Sequence, residues 1–172
     1  MTALSNPIFA PHPFGTEITG QQLLETFKQC RLWEDRYRLL IGLAKKLPNL
    51  PDELKQQKIE ISGCENRVWL GHQALIENRS IENSSVENSS AENSSDANRL
   101  HFYGDSEGRI VKGLLAFILA MVEGKTPEQV LQTNLTGLFQ QAGLAQQLSA
   151  SRLNGVKALI NSVQAIALSY QN

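Results

Sequence analysis

The chain has 172 residues, 41% hydrophobic and 19% charged, which is typical of one globular domain with a core large enough to fold unaided. Its 16 basic and 17 acidic residues leave a formal charge of −1, so the composition predicts no direct nucleic-acid or membrane partner. Two cysteines without a Cys-x-x-Cys pair argue against a structural disulfide, a zinc knuckle and a redox couple. We therefore predict a single domain over residues 1–172 in which each thiol is judged singly.

The first residues predict an extended arm rather than a targeting signal. Pro7, Pro11 and Pro13 interrupt the arm, residues 1–18, and no basic stretch is followed there by an apolar core. We therefore expect a cytosolic protein. The longest apolar run, residues 110–122, falls short of the roughly 20 residues that span a bilayer and is typical of a buried helix.

Two amphipathic helices are predicted after the arm. Thr19 and Gln22 have the spacing of a capping box, and apolar residues then recur with helical period up to about Cys30. A second helix is predicted over residues 32–47, where Pro48 ends it. We expect these two helices to form an antiparallel pair.

A small antiparallel sheet of about three strands is predicted next. Apolar and β-branched residues predict strands at residues 58–61, 68–76 and 100–104, with the last two joined as a hairpin. The connection holds four copies of a five-residue unit rich in Glu, Asn and Ser. Because such a composition buries too little apolar surface to offset its ordering entropy, we interpret residues 77–98 as a low-complexity loop insertion that the hairpin tolerates.

The rest of the chain is predicted to be mostly helical. The predicted elements are a helix over residues 107–123 capped by Asp105-Ser106, one over 128–132 after Thr126-Pro127, a helical turn near Leu138, and a C-terminal helix capped by Ser149 or Ser151. The helix over residues 107–123 is apolar nearly all round, so we expect it to be the spine of the core. The order of elements predicts an α+β fold in which the small sheet packs against several helices.

Cys64 is the strongest candidate for a reactive group. It lies between two strand-like runs, and Gly63 before it permits an unusual backbone angle or a close approach by another chain. The supporting loop is polar through Glu65, Asn66 and Arg67. This placement favours a thiol presented at a loop tip.

A thiolate nucleophile needs a nearby positive charge or helix N-terminus to lower its pKa. Arg67 is close to Cys64 in sequence, and Arg152 is a candidate in space because an arginine in the first turn of a helix opposes the helix dipole. The residues leave open that Cys64 is instead a small hydrophobe in the sheet. For Cys30, beside the apolar face of a helix, burial is the ordinary interpretation.

Two rival functions remain compatible with these residues. The first is a thiol hydrolase that pairs Cys64 with His72 or His101 across the strands. The three histidines show no metal-ligand spacing, and one candidate thiolate cannot hold an iron–sulfur cluster, so we predict no metal site.

The second rival is a non-catalytic adaptor that activates a partner through its surface. The segment Asp105-Ser106-Glu107-Gly108-Arg109 stands at a predicted helix start, where capping alone explains its composition. Asp105, Glu107 and Arg109, together with Arg152, are nonetheless candidates for partner contact or thiolate stabilisation.

Several motifs resemble the SufE/CsdE family of sulfur acceptors when taken in order. They are Trp33-Glu34-Asp35-Arg36-Tyr37, Leu47-Pro48, Ser62-Gly63-Cys64 with Val68-Trp69, Gly104-Asp105-Ser106 leading to residues 110–114, and Leu148-Ser149 through Ser151-Arg152 to Gly155. The N-terminal residues 9–15 and Glu65-Asn66-Arg67 look closer to the CsdE branch. The repeat loop is longer than we expect for the family.

The resemblance implies a function for Cys64. It would accept sulfur as a persulfide from a cysteine desulfurase, stimulate that enzyme, and pass the sulfur to iron–sulfur cluster assembly or another sulfur-using pathway. The pyridoxal phosphate would belong to the partner desulfurase, so no cofactor is expected on this chain. The resemblance also implies an α+β fold similar to iron–sulfur scaffold proteins and an accessory protein that does not turn over substrate by itself.

Overall fold

The computed structural model describes residues 8–64, 66–75, 99–146 and 148–171. In chain order the elements are α1 (Gly20–Gln29), α2 (Trp33–Lys46), α3 (Asp52–Lys55), β1 (Val68–Leu75), β2 (Arg99–Ser106), α4 (Arg109–Val122), α5 (Pro127–Gln132), α6 (Leu135–Gln141) and α7 (Ala150–Ser169). This mixture of helices with one small antiparallel sheet confirms the predicted α+β class. The predicted loop insertion at residues 77–98 lies outside the described residues.

Local start signals explain where several helices begin. The side chain of Thr19 accepts a hydrogen bond from the backbone of Gln22, whose own side chain accepts one from the Thr19 backbone, so α1 starts with the predicted capping box. Thr126 caps α5 in the same way, with proline at the first helical position. Of the two serines considered for α7, Ser149 is the N-cap.

Helix α4 is the centre of the core, as predicted. Every residue from Ile110 to Val122 is buried, and α1, α2, α7 and β2 all pack against this helix. A fully buried Leu or Phe contributes about 1.5–3 kcal/mol through removal of apolar surface from water, so α4 supplies much of the driving force for folding.

The predicted antiparallel pair of α1 and α2 is wrong. Both helices pack mainly against α4 rather than against each other. The α2–α4 contact is especially close, because a Cβ on Gly113 would lie 2.3 Å from the backbone oxygen of Leu40. The apolar face of α2 is thus buried on the central helix.

The sheet has two strands among the described residues, one fewer than predicted. Strands β1 and β2 pair antiparallel, with Val68 opposite Ser106 and Leu75 opposite Arg99. The segment predicted as a further strand, residues 58–61, makes only an isolated bridge from Glu60 to Trp69. The extended part is short because Lys58, the first residue of this segment, has a left-handed backbone with φ of 58° and because the Cys64 turn follows at once.

The start of α4 also differs from the prediction. Asp105 and Ser106 do not cap the helix but form the end of β2, and the N-cap is Gly108 without a side-chain hydrogen bond. Pairing of Ser106 with Val68 extends the strand through the predicted cap. In the described part of the chain no helix is both long and apolar enough to cross a bilayer.

Candidate functional site

The Cys64 loop, described at residues 62–64, 66 and 67, is the tip of a tight hairpin. Below the tip, the backbone N–H of Ile61 donates to the oxygen of Val68 at 2.8 Å. One step further down, the N–H of Leu70 donates to the oxygen of Ile59 at 2.9 Å. Two short backbone segments therefore form a stem that presents the loop.

Cys64 itself is half-buried at the edge of the main core. Its Sγ lies 3.8 Å from the backbone oxygen of Gly155 on α7. A Cβ built on Gly155 would come 3.4 Å from that sulfur, and its three nearest neighbours would all be atoms of Cys64. Because Gly155 has no side chain, it leaves room for the Cys64 thiol on α7, and we call this place the seat of Cys64.

This seat affects the chemistry of the thiol. Burial raises the pKa of Cys64 above its ordinary value, because a thiolate loses hydration there. Among the described residues, none contributes a charge that lowers this pKa. The seated residue is therefore held as the neutral thiol, the less nucleophilic form.

The two sides of the loop are held differently. Gly63 has a φ of +90°, a backbone conformation that a residue without a side chain adopts readily. Apart from its two chain neighbours, no atom of the described residues lies within 4 Å of the position that a Cβ would take. On the other side, the Asn66 amide lies so close to Gly108 that a Cβ there would meet it at 2.4 Å. Glu65, predicted as part of the supporting loop, lies outside the described residues.

Arg67 anchors the loop on this second side. Its backbone oxygen accepts hydrogen bonds from the Glu107 N–H at 3.1 Å and from the Ser106 hydroxyl at 2.9 Å. Its guanidinium donates from Nε and Nη2 to the two carboxylate oxygens of Glu60, at 2.9 and 3.1 Å. It also lies 4.9 Å from the centre of the Trp69 ring.

Arg152 lies on the helix that supplies the seat. It precedes Gly155 by three residues on α7, so both occupy the same helix face. Its Nε is buried and has no hydrogen-bond partner among the described residues. A buried donor without an acceptor is costly, and this one stands one helical turn from the residue that touches Cys64.

Asp105 is not part of the Cys64 site. Only 3% of it is exposed, and its carboxylate is bound by the Lys112 ammonium at 3.0 Å and the Leu50 N–H at 2.9 Å. Lys55 lies 3.5 Å from the same carboxylate. These contacts fasten β2 to α4 and to the segment before α3, which is a structural role and leaves no surface for partner contact.

The two other residues of this segment are exposed but lie in different places. The charge of Glu107 contributes to the raised pKa of Arg67, which places its carboxylate near the Cys64 loop. Arg109 instead lines a cavity of about 360 Å³ together with Lys45 and Lys112. Of the predicted candidates, Gly63, Cys64, Asn66 and Arg67 belong to the loop, and Glu107 lies near it. Arg152 lies one helical turn from Gly155, which Cys64 touches, whereas Asp105 and Arg109 lie elsewhere.

His12, His101 and Glu123 form the one group among the described residues whose ligand atoms could approach a metal ion, all within 4.8 Å of one another. The two imidazoles are stacked, however, with ring centres 5.2 Å apart and planes at 23°. Their in-plane lone pairs therefore do not converge on a common point. Both nitrogens of His101 and both of His12 already make hydrogen bonds, so the group is a hydrogen-bonded cluster and a poor metal site.

Neither histidine of the rival hydrolase reaches Cys64. His72 pairs with Phe102, and His101 pairs with Gln73, in the half of the hairpin away from the Cys64 loop. His72 follows Val68 by four residues, a distance of about 13 Å along a strand. Its Nδ1 is hydrogen-bonded to the Tyr170 hydroxyl at 2.8 Å.

Cys30 is partly buried rather than enclosed. Its thiol donates to the Thr26 backbone oxygen at 3.4 Å at the end of α1, and it lines a cavity of about 630 Å³ between α1 and α2. Burial raises its pKa, although the charge of Arg36 opposes this. It lies outside the hairpin that carries Cys64.

Sequence reasoning missed two residues of the site. Glu60 could have been found, because its segment and Arg67-Val68-Trp69 flank a turn and would bring opposite charges together across a hairpin. Gly155 left a weaker signal, since an isolated glycine inside a helix pattern often has a packing reason. Nothing in the sequence indicates that its partner is Cys64.

Comparison with known proteins identifies the family of this chain. Residues 21–167 match the SufE family, described as an Fe-S metabolism associated domain. The sulfur acceptor protein CsdE of Escherichia coli (strain K12) is 49% identical over 160 residues, covering 93% of this chain and 95% of that protein. An uncharacterized SufE-like protein of Rhizobium meliloti (strain 1021) is 30% identical over 146 residues, covering 85% and 92%.

A solved structure supports the fold alone. The solution structure of a hypothetical protein from Thermus thermophilus is similar to this chain with a TM-score of 0.61 and 22% identity, over 87% of this chain and 93% of that one. Together with the sequence matches, this agrees with the helices and small sheet described above. The chain belongs to the SufE family, on its CsdE branch.

Proposed function

We propose that this protein accepts sulfur on Cys64 from a pyridoxal-phosphate-dependent cysteine desulfurase, stimulates that enzyme, and passes the sulfur onward. The observation that carries the proposal is the position of Cys64, at the tip of a hairpin and resting lightly against Gly155. A relative at 49% identity bears the name sulfur acceptor protein. The pyridoxal phosphate belongs to the desulfurase, and the onward route is iron–sulfur cluster assembly or another sulfur-using pathway.

The transfer is a thiol–disulfide type of exchange. The Cys64 thiolate attacks the terminal sulfur of a persulfide on the desulfurase cysteine, forming a new S–S bond on Cys64. The bond between that sulfur and the desulfurase cysteine breaks, and the desulfurase thiolate leaves. No oxidant is consumed, because one S–S bond replaces another.

The seat at Gly155 suits a carrier that is idle until it meets its partner. Burial raises the pKa of Cys64, so at rest the proton stays on sulfur. When the tip leaves the seat, this burial is lost and the thiolate forms more readily. Gly63, with its left-handed backbone and free surroundings, is the hinge on one side of this movement.

Arg152 has a role in this scheme as a stabiliser of charged sulfur. Its buried Nε lacks an acceptor among the described residues, on the helix face that receives Cys64. A thiolate or persulfide near α7 would supply that acceptor. Arg152 therefore favours the charged forms without acting on the seated thiol.

The geometry argues against the rival hydrolase but is compatible with the rival adaptor. A hydrolase requires a histidine beside Cys64, and both candidates lie in the far half of the hairpin. An adaptor requires only a surface, and Glu107 beside the Cys64 loop is available for it. The remaining question is whether Cys64 carries sulfur.

The test is transfer of labelled sulfur from a desulfurase supplied with ³⁵S-cysteine. We expect Cys64→Ser to abolish label on this protein and Cys30→Ser, the matched control, to leave it unchanged. Mass spectrometry should place one added sulfur on the Cys64 peptide. Equal loss in both variants, or in neither, contradicts the proposal, and full stimulation of the desulfurase by Cys64→Ser favours the adaptor.

A further inference from the structure

The stem of the Cys64 hairpin is unusually short for an element that must hold a loop in place. Its backbone contributes two hydrogen bonds, Ile61 to Val68 and Leu70 to Ile59. One side of the stem belongs to β1 and is held by β2, whereas the other side, residues 59–61, is joined to it by these two backbone hydrogen bonds. Two such bonds hold a strand segment only marginally in water. Side chains across the stem must therefore add to its stability.

Three of those side chains lie on one face of the stem. Glu60 is opposite Trp69 in the antiparallel bridge, and Arg67 precedes Trp69 by two residues, so alternation puts it on the same face. The Arg67 guanidinium binds the Glu60 carboxylate through two parallel hydrogen bonds and covers the Trp69 ring. This diagonal pair connects the two sides of the stem below the Cys64 loop.

The position of the pair distinguishes it from an ordinary surface ion pair. Arg67 is the last residue of the loop, and its backbone oxygen is fixed by Glu107 and Ser106. With the pair intact, the two sides of the hairpin are held together directly below the loop. Without it, the stem is free to open as far as Ile59 and Leu70.

We propose that Glu60 and Arg67 are positioning residues that set how often Cys64 leaves its seat on Gly155. The closed pair holds the stem and keeps the thiol seated, whereas loss of the pair lengthens the movable segment and exposes the thiol. The side chains of Arg67 and Glu60 are 58% and 44% exposed, so charged groups of a desulfurase can compete for either one. The biological purpose of this movement rests on the function proposed above. The movement itself can be measured without a partner protein.

The experiment measures alkylation of Cys64 by iodoacetamide in a Cys30→Ser background, as a function of pH and salt. We expect Glu60→Gln and Arg67→Gln to increase the rate about two- to fivefold at low salt, the range an exposed ion pair supports. The midpoint of the pH profile should fall, because burial is what raises the pKa of Cys64. High salt should bring the wild type toward the variants, since it screens exposed charges.

Two variants and one further measurement make the test specific. Glu25→Gln removes the same charge at an exposed site on α1 and should leave alkylation unchanged. The exchanged pair Glu60→Arg with Arg67→Glu should restore a slow rate, which a merely disturbed stem would not do. Amide hydrogen exchange of Ile61 and Leu70 should be faster in Glu60→Gln, while the amides within α4 stay protected.

Wild-type alkylation rates and unchanged exchange at Ile61 and Leu70 in both single variants would overturn the proposal. That outcome is separate from failure of the proposed function, because alkylation and exchange need no desulfurase. If the variants show the expected opening but the protein accepts no labelled sulfur, the role of the Glu60–Arg67 pair is supported and the proposed sulfur-carrier function is contradicted.

Discussion

Gly155 and Cys64 are in direct contact although 91 residues separate them in the sequence. The contact joins the C-terminal helix to the hairpin that carries the thiol, and the nearest atoms to a Cβ at position 155 all belong to Cys64. Alanine at this position would stand at ordinary van der Waals distance from Sγ. A larger side chain would occupy the place of the thiol.

We therefore predict that Gly155→Leu displaces Cys64 from its seat. Iodoacetamide should alkylate Cys64 faster than in the wild type, with a lower midpoint pH, because the buried environment that raises the pKa is lost. The substitution should not destabilise the helix, since leucine is a better helix former than glycine by about 0.8 kcal/mol. Asn154→Leu, an exposed change on the same helix, is the control, and a wild-type alkylation profile in Gly155→Leu would exclude the seat.

A second prediction concerns Arg152. Arg152→Gln should slow acceptance of labelled sulfur about tenfold, because a hydrogen bond to a charged group is worth roughly 1.5–3 kcal/mol. Arg152→Lys should retain more of the rate, since it keeps the charge. Lys157→Gln, an exposed charge change on the same helix, should have no effect. If Gln and Lys at position 152 slow transfer equally, Arg152 acts by packing alone.

Features determined by neighbouring residues were predictable from the sequence, and features determined by distant ones were not. The capping box of Thr19 and Gln22 involves a few adjacent residues, so its pattern predicted the start of α1 correctly. Asp105 and Ser106 carry the same kind of signal at the predicted start of α4. Pairing of Ser106 with Val68 overrides that signal, because the strand continues through it.

The site divides in the same way. Cys64 and Gly63 could be singled out from local composition and from the resemblance to a family. Gly155 could not, since nothing near position 155 indicates which segment packs on it. Arg109 shows the same limit, because it is two residues from Glu107 in the sequence but lines a cavity together with residues of α2.

A third prediction tests the buried pair of Asp105 and Lys112. Lys112→Met should cost about 3 kcal/mol in the free energy of unfolding, because it leaves a buried carboxylate without its main counter-charge. The double variant Asp105→Leu with Lys112→Met should be closer to the wild type, since no buried charge remains. Urea denaturation measures both. A single variant as stable as the double would mean that Lys55, at 3.5 Å, compensates fully.

The same pair gives a pH dependence with a definite sign. Burial raises the pKa of Asp105, but hydrogen bonds from Leu50, Lys112 and Ser106 lower it more, so the net pKa is below the ordinary 3.8. The stabilisation is therefore present above that value and is lost as the pH falls through the lower folded pKa. Acid denaturation of Asp105→Leu with Lys112→Met should lack this component.

The last prediction concerns the buried imidazole of His101, which is 2% exposed. Its Nδ1 faces a Glu123 carboxylate oxygen and its Nε2 faces the Phe9 backbone oxygen. Both neighbours are acceptors, so both nitrogens must carry hydrogen and the ring is an imidazolium. It fastens the N-terminal segment at Phe9 to β2 and to the end of α4.

The pKa of His101 reflects these contacts. Burial lowers it, but the hydrogen bond and charge of Glu123 and the backbone oxygens of Phe9 and Ala10 raise it more, so the net pKa lies above the ordinary 6.5. The stacked His12 is neutral, because one of its nitrogens accepts the Phe14 N–H and burial lowers its pKa. The other aromatic neighbour, Tyr103, has its pKa raised by burial and carries no charge near neutral pH.

We therefore predict that His101→Gln destabilises the protein most below pH 6.5. The difference in free energy of unfolding from the wild type should shrink as the pH rises through the folded pKa, because the native state then loses the proton that it bound more tightly. His72→Gln is the contrasting control: burial lowers the pKa of His72, so its contribution is lost as the pH falls. Urea denaturation between pH 5.5 and pH 9 measures both, with the values chosen roughly to bracket the ordinary histidine range. A His101→Gln penalty that is constant over this range would contradict a charged His101 ring in the native state.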